Sequence, residues 1–350
     1  MGLLRRHLGP YHATMTDAGA TSTGYAGAVA AIFPGQGSQK VGMGRELYDT
    51  SGAARAVLDA AEAALPGLLT VMWDGPEDAL QLTENQQPAL VAAGAAAYAA
   101  YVERGGVPAF IAAGHSLGEY TALVAAGCLT VGDAVRLVNA RGRYMQAAVP
   151  QGVGAMAAIL KVETSVIQAV IDDLMSGYAS DGSGDLVAIA NLNAPGQTVI
   201  SGTAAGVTAA VERLKESGAR AVPLKVSAPF HCRLMAPAAE RLAADLAATD
   251  FRQPTFDVVC NVTARPLPAP DAAPELLTMQ VTSSVRWVEC MRYMAAVVPA
   301  SSGGAGYVRF IEFGSGEVLT NLARRILQDA DALAVHDAAT LEEVVDDTRH

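Results

Sequence analysis

Gly114-His115-Ser116-Leu117-Gly118 is a G-x-S-x-G string. It lies between an apolar run at 108–113 and a helix-compatible stretch reaching about Ala126. A buried strand turning sharply into a helix is the setting in which such a string presents a nucleophile. The glycines permit the turn, the Ser116 hydroxyl is pushed out of the sheet, and the Leu117 N–H faces the oxyanion of an attacked carbonyl. The same string also fits a serine that only caps a helix. A base separates the two readings, because a free serine hydroxyl is a weak nucleophile at neutral pH. His7, His12, His336 and His350 lie near the termini, and His115 adjoins the serine and points away along the turn. His231 remains, in Ser227-Ala228-Pro229-Phe230-His231-Cys232, after a strand-like stretch at 221–226. Loops that follow strands are where α/β sites assemble. Taken alone, a single histidine is as readily structural as catalytic.

The elements that must position these residues follow from apolar patterning. The run at 28–33 (AVAAIF) predicts a buried parallel strand ending in a Gly-rich loop, Pro34-Gly35-Gln36-Gly37. Helical spacing of apolar residues predicts helices over 53–65, 88–104 and 235–248. Strands are expected at 108–113, 256–261 and 307–313, the last leading into a helix that ends near Leu327. Between these parts the pattern changes. A strand at 153–162, a helix at 164–175, a polar loop at 176–184, strands at 186–191 and 197–201, a helix at 204–217 and a strand at 221–226 spell βαββαβ, the ferredoxin-like order. The expected fold is therefore α/β: a large, α/β-hydrolase-like domain (28–150 and 223–350) with a mostly parallel sheet, and an inserted ferredoxin-like α+β subdomain (151–222). Residues 1–27 read as a disordered extension.

Eight strings then occur in order: FPGQGSQ (33–39), ENQQPAL (84–90), GHSLGEY (114–120), Arg141, NLNAPGQTVISG (191–202), SAPFHCRLM (227–235), MQVTSSVRW (279–287) and FGSGEVLTNLARRI (313–326). On these motifs the chain resembles the malonyl-CoA:acyl carrier protein transacylases and the related acyltransferase domains of polyketide synthases, over roughly residues 28–328. The resemblance implies a two-step acyl transfer. Ser116 attacks the thioester of malonyl-CoA with His231 as base, and the pantetheine thiol of an acyl carrier protein then takes the malonyl group from the serine ester. It also implies that the Gln280 backbone carbonyl orients His231, and that the N–H groups of Gln36 and Leu117 form the oxyanion hole. Arg141 matches the arginine that holds the malonyl carboxylate, which would be costly to bury unpaired. A surface arginine such as Arg143 is the plain alternative for any one such residue. Leu117 and Phe230 resemble the malonyl-selecting pattern. A bulky Phe230 disfavours an α-methyl branch by about 1–3 kcal/mol, although SAPFH differs from the polyketide strings HAFH and YASH. His115 is expected to line the same pocket, and Asn193 matches a polar position near the acyl group.

Composition bounds the remaining expectations. With 51% hydrophobic and 17% charged residues the 350-residue chain is too apolar for disorder. A net charge of −11 excludes a global nucleic-acid footprint. The carrier partner is itself acidic, so a local basic patch is required. Arg233, Arg324 and Arg325, with Lys225 beside them, are expected to supply it near the pocket mouth. Cys128, Cys232, Cys260 and Cys290 form no C-x-x-C pair, which points to reduced thiols rather than disulfides or zinc. No apolar stretch reaches the length of a membrane span, and the N-terminus lacks the apolar region of a secretory signal. A cytoplasmic monomer that needs no cofactor, no metal, no membrane and no nucleic acid is the resulting expectation. The pathway is either fatty acid synthesis or, as an alternative, a polyketide synthase served in trans. A serine acyl-hydrolase is the alternative of a different class, against which the Arg141 match argues.

Overall fold

In a computed structural model the described residues are 28–349 apart from 151, 183, 225, 227 and 298–306. The expected N-terminal extension and Lys225 lie outside them.

Among the described residues ten strands form two sheets. The first holds β1 (Ala28–Phe33), β2 (Ile111–Gly114), β7 (Asp257–Cys260), β8 (Arg265–Pro266), β9 (Val308–Phe313) and β10 (Asp331–Val335), in the order β10-β9-β1-β2-β7-β8. Every pairing but the last is parallel. β1 and β9 are buried at every residue, as strands covered by helices on both faces must be. Helix Thr83–Glu103 packs against this sheet with almost all of its Ala-rich length buried. Helix Val131–Ala148 starts where the Thr130 side chain accepts the N–H of Asp133 at 3.1 Å. It packs beside Thr83–Glu103 with Arg141 on its buried face and Arg143 in solvent.

The second sheet holds β3 (Gly154–Leu160), β4 (Val187–Ala194), β5 (Gln197–Thr203) and β6 (Arg220–Pro223), ordered β4-β5-β3-β6 and antiparallel throughout. With helices Thr164–Asp181 and Ala204–Glu216 on one face, this is the ferredoxin-like arrangement. Its core is apolar, built on Ile159, Ile167, Ile171, Ile200 and Leu214. The two sheets are tied where edge strand β4 meets the segment after helix Ala273–Thr282: Leu192 N–H donates to Val285 O and Val285 N–H to Ala190 O, each at 2.9 Å.

One expectation fails here. The polar stretch read as a loop from 176 is helix as far as Asp181. Met175 and Tyr178 still pack on the small core, and the turn comes only at Gly182, whose φ of +67° ends the helix in the left-handed conformation. The acidic C-terminal stretch is the outer face of helix Ala338–Arg349, whose Leu341, Val344 and Val345 are buried.

Candidate active site

The turn from β2 into helix Gly118–Ala125 is as tight as its sequence predicts. A methyl group on Gly114 would lie 1.8 Å from the Gly118 carbonyl, and one on Gly118 would lie 2.2 Å from Phe33 O. Neither position can carry a side chain. Ser116 between them has φ +53°, a conformation costing on the order of 1 kcal/mol outside glycine. Asn261, just past β7, straddles the turn: its Nδ2 donates to Gly114 O at 2.7 Å and its Oδ1 accepts the Ser116 N–H at 2.8 Å.

His231 reaches the serine from the loop after β6, also at positive φ (+59°). Its Nε2 lies 2.8 Å from Ser116 Oγ. Its Nδ1 faces two carbonyls, Gln280 O at 3.0 Å and Ser283 O at 3.2 Å. Two acceptors on Nδ1 place the proton there, leaving Nε2 to accept from the Ser116 hydroxyl. Burial, and after it the Arg141 charge, push the imidazole pKa down to about 3, so the ring is neutral at pH 7. Arg141 approaches the same oxygen: Nη2 donates to Ser116 Oγ and to Gln280 Oε1, each at 3.1 Å, and Nη1 to Gln87 Oε1 at 2.8 Å. Arg141 is 1% exposed, and its Nε has no partner among the described residues. Beneath the turn, Glu119 accepts from Gln280 Nε2 at 2.7 Å and from the Asn261 N–H at 2.9 Å. Burial pushes its carboxyl up to about 7.

A cavity of about 120 Å³ opens above Ser116. Gln36, His115, Phe230 and His231 line it from the large unit's loops, and Met156 and Asn191 from the small sheet. It continues past Gln36, Leu224, Val226 and Phe230 into a cleft of about 390 Å³. Arg141 does not border this space. His115 lines it with its ring held by Asn193 Oδ1 at 2.8 Å and packed on Trp287. A Cβ on Gly35 would meet His115 O at 2.8 Å, which accounts for a glycine before Gln36. Among the described residues neither the Gln36 N–H nor the Leu117 N–H has a hydrogen-bond partner. Leu117 stands at the positive end of helix Gly118–Ala125.

The structure thus gathers Ser116, His231, Gln280, Arg141, Gln36, Leu117, His115, Asn193 and Phe230. It does not gather the expected basic patch. Arg233 borders a groove of about 450 Å³ that reaches His231 from the β4 side. Arg324 and Arg325 end helix Val318–Ile326, whose course carries the chain away from the carboxyl ends of the strands. Arg324 Nη2 donates at 2.8 Å to Ala332 O, near the start of β10 and so at the opposite edge of the sheet, and Arg325 is hydrogen-bonded to Gln197. Gln87, Glu119, Asn261 and Ser283 were not singled out from sequence. Gln87, Glu119 and Ser283 do fall inside the strings ENQQPAL, GHSLGEY and MQVTSSVRW, while Asn261 carries no local signal beyond its place at a strand end.

Among the described residues no His, Cys, Asp or Glu cluster could hold a metal ion, and all four cysteines are free and buried. No single helix among them is long and apolar enough to cross a membrane.

Comparison with known proteins places the chain in a family. The acyl transferase domain family matches residues 31–334. The malonyl CoA-acyl carrier protein transacylase of Bacillus subtilis (strain 168) is 44% identical over 316 residues, covering 90% of this chain and 95% of that protein. Its Escherichia coli (strain K12) counterpart is 40% identical, over 89% and 96%. The acyl-carrier-protein S-malonyltransferase of Burkholderia pseudomallei 1710b superposes with a TM-score of 0.82 at 42% identity, over 91% of this chain and 99% of that one. A malonyl-transacylase solved in complex with a type II PKS acyl-carrier protein does so with a TM-score of 0.82 at 38% identity, over 91% and 99%. The chain belongs to the acyl transferase family and, within it, to the malonyl CoA-acyl carrier protein transacylases.

Proposed function

We propose that this enzyme moves a malonyl group from malonyl-CoA to the pantetheine thiol of an acyl carrier protein through a malonyl ester on Ser116. One observation carries the reading: Ser116 Oγ lies 2.8 Å from a neutral imidazole nitrogen and 3.1 Å from a buried guanidinium nitrogen. A base alone would serve any acyl group. A base beside a buried cation suits an acyl group that carries its own carboxylate.

His231 Nε2 takes the Ser116 proton as Oγ attacks the thioester carbonyl, while Gln280 O and Ser283 O hold the imidazolium through Nδ1–H. The free N–H groups of Gln36 and Leu117 stabilise the oxyanion. Collapse of the tetrahedral intermediate breaks the C–S bond, and His231 returns the proton to the departing CoA sulfur. Esterification draws Oγ away from Arg141. Its Nη2–H and unpartnered Nε–H then form a two-donor edge for the malonyl carboxylate, which lysine could not reproduce. In the second half His231 deprotonates the carrier thiol, the thiolate attacks the ester, and the Ser116 hydroxyl is restored. Backbone carbonyls suffice to orient the histidine, so no third carboxylate is needed. Every step is supplied by side chains and backbone, so the reading calls for no cofactor. Phe230 at the cavity wall disfavours a branched acyl group.

Intact-protein mass spectrometry after mixing with malonyl-, methylmalonyl- or acetyl-CoA tests this. A malonyl adduct is expected on the wild type and none on Ser116→Ala. Rapid CoA release without an adduct would replace the reading with a hydrolase, and neither adduct nor release would remove malonyl-CoA as donor.

A further inference from the structure

We propose that Glu119 is a positioning residue for the transfer: its carboxylate fixes the Gln280 carboxamide, which presents its oxygen to Arg141 and braces the turn at Ser116. The inference rests on the acyl-transfer reading above and deepens it.

The Gln280 side chain is wholly buried and meets Arg141, Ser116, Glu119 and, more distantly at 3.5 Å, Asn261 Oδ1. Arg141 Nη2, at 3.1 Å, can only donate. Ser116 O, at 3.0 Å, can only accept, and Glu119 Oε2, at 2.7 Å, is set as an acceptor because it also takes the Asn261 N–H at 2.9 Å. The carboxamide therefore has one satisfactory orientation, with nitrogen toward Ser116 and Glu119 and oxygen toward Arg141. Glu119 supplies the shortest of these contacts, and it is anchored in turn by the Asn261 N–H, whose own side chain clasps both sides of the turn. One carboxylate is thus joined to both halves of the chemistry. Through the Gln280 side chain it reaches the cation that would receive the acyl carboxylate, and through the same residue's backbone the carbonyl that holds His231.

The interposed amide has a purpose that direct pairing would defeat. Glu119 touching Arg141 would form a closed ion pair and occupy the guanidinium edge. With Gln280 between them no carboxylate among the described residues touches Arg141, and its Nε stays unpartnered. Such an arrangement depends on where the acceptor oxygen stands, more than on its charge.

The test sets Glu119→Gln, which keeps an acceptor oxygen at the same reach, against Glu119→Asp, which keeps the charge and withdraws it by one methylene. Both are made in the full chain, with and without Gln280→Met, and thermal melts confirm folding. For Glu119→Gln, kcat/KM for malonyl-CoA is expected within about threefold of wild type. For Glu119→Asp it falls roughly tenfold, mainly through KM, the size of one lost charge-assisted hydrogen bond. In the Gln280→Met background the two should differ by less than about twofold, because the residue through which Glu119 acts is gone. The reverse order, with Asp active and Gln impaired, would mean that charge is what matters and would overturn the proposal. So would equal activity of the two, or an Asp defect that persists undiminished in Gln280→Met. A wild type that forms no malonyl adduct would sink the acyl-transfer reading itself, which separates that failure from a failure here.

Discussion

Around Ser116, at the carboxyl edge of the parallel sheet, Glu119, Arg141, His231, Asn261 and Gln280 are all buried and tied to one another by hydrogen bonds. The core of the four-stranded sheet is Ile159, Ile167, Ile171, Ile200 and Leu214, and no charged residue is buried in it among the described residues. Two ways of filling an interior thus stand within one chain. Apolar side chains tolerate shifts of a few tenths of an ångström and lose stability in proportion to volume removed. A buried polar network is worth little in net stability, but it leaves each member a single satisfactory orientation. The acyl transfer proposed at Ser116 needs the second property, and the network lies under that serine. The small sheet covers it and, from outside its own apolar core, lends Met156 and Asn191 to the cavity wall and Asn193 to the His115 ring.

The sharpest way to break this contrast is one substitution in each region. His231→Ala is expected to lower the rate of Ser116 malonylation roughly 10³-fold while costing about 2 kcal/mol or less in stability. Ile200→Ala, which opens a void in the small core, is expected to cost about 2–5 kcal/mol while leaving the malonylation rate per folded molecule nearly unchanged. Denaturation curves and adduct formation on the same two proteins check both halves. A large activity loss in Ile200→Ala would mean that the small sheet positions the reacting groups as well as covering them.

The contrast also accounts for what the sequence made legible. The elbow announced itself locally, because Gly114, Ser116 and Gly118 act over one turn of chain and their neighbours carry clear strand and helix patterns. The paired sheets were legible for the same reason, from short apolar runs and the βαββαβ order. The network was not. Glu119 meets Gln280 across 161 residues and Ser116 meets Asn261 across 145, and no periodicity marks such pairs. Resemblance to a family supplied Arg141 and the Gln280 carbonyl, but not the carboxamide on the same residue. The loop expected from 176 was misread because serine, glycine and alanine look like a linker. Tertiary contacts of Met175 and Tyr178 keep that stretch helical.

A smaller effect separates the regions by pH. The Glu119 carboxyl is pushed from an ordinary 4.5 up to about 7 by burial, and Glu312, on β9 of the same sheet, is likewise pushed up to about 7. Between those two values the native state keeps protons that the unfolded chain has lost. Each group therefore makes the fold less stable as pH rises from about 4.5 to about 7, with no further change above. Glu119→Gln removes its share. Wild type should lose stability relative to Glu119→Gln between pH 5 and pH 7.5, with the gap constant from pH 7.5 to 8.5. Paired denaturation curves at the three pH values measure this. A gap that does not change between pH 5 and 7.5 would mean that the carboxylate is already ionised at the lower pH, and that its partners outweigh its burial.

The smallest effect concerns where the carrier docks, and the two edges of the parallel sheet divide the candidates. Arg233 follows His231 by two residues and is exposed beside a groove that reaches the imidazole. Arg324 and Arg325 lie in the last turn of a nine-residue helix, about 9 to 11 Å along its axis from its start. A partner delivering a thiol to Ser116 must cover the first edge and need not touch the second. Exposed charges at the rim of a contact tune encounter more than holding strength. Arg233→Glu is therefore expected to raise the carrier KM roughly three- to tenfold, with the malonyl-CoA KM and the rate of Ser116 malonylation little changed. Reversing Arg324 and Arg325 together should shift the carrier KM by less than about twofold, in the range of surface changes remote from a contact. The opposite ranking would place the acidic partner over the small sheet's turn at Gln197, where Arg325 is held. The pantetheine arm would then have to reach Ser116 from the β4–β5 side, past Asn193 and His115, and the cleft beside Phe230 would serve CoA alone.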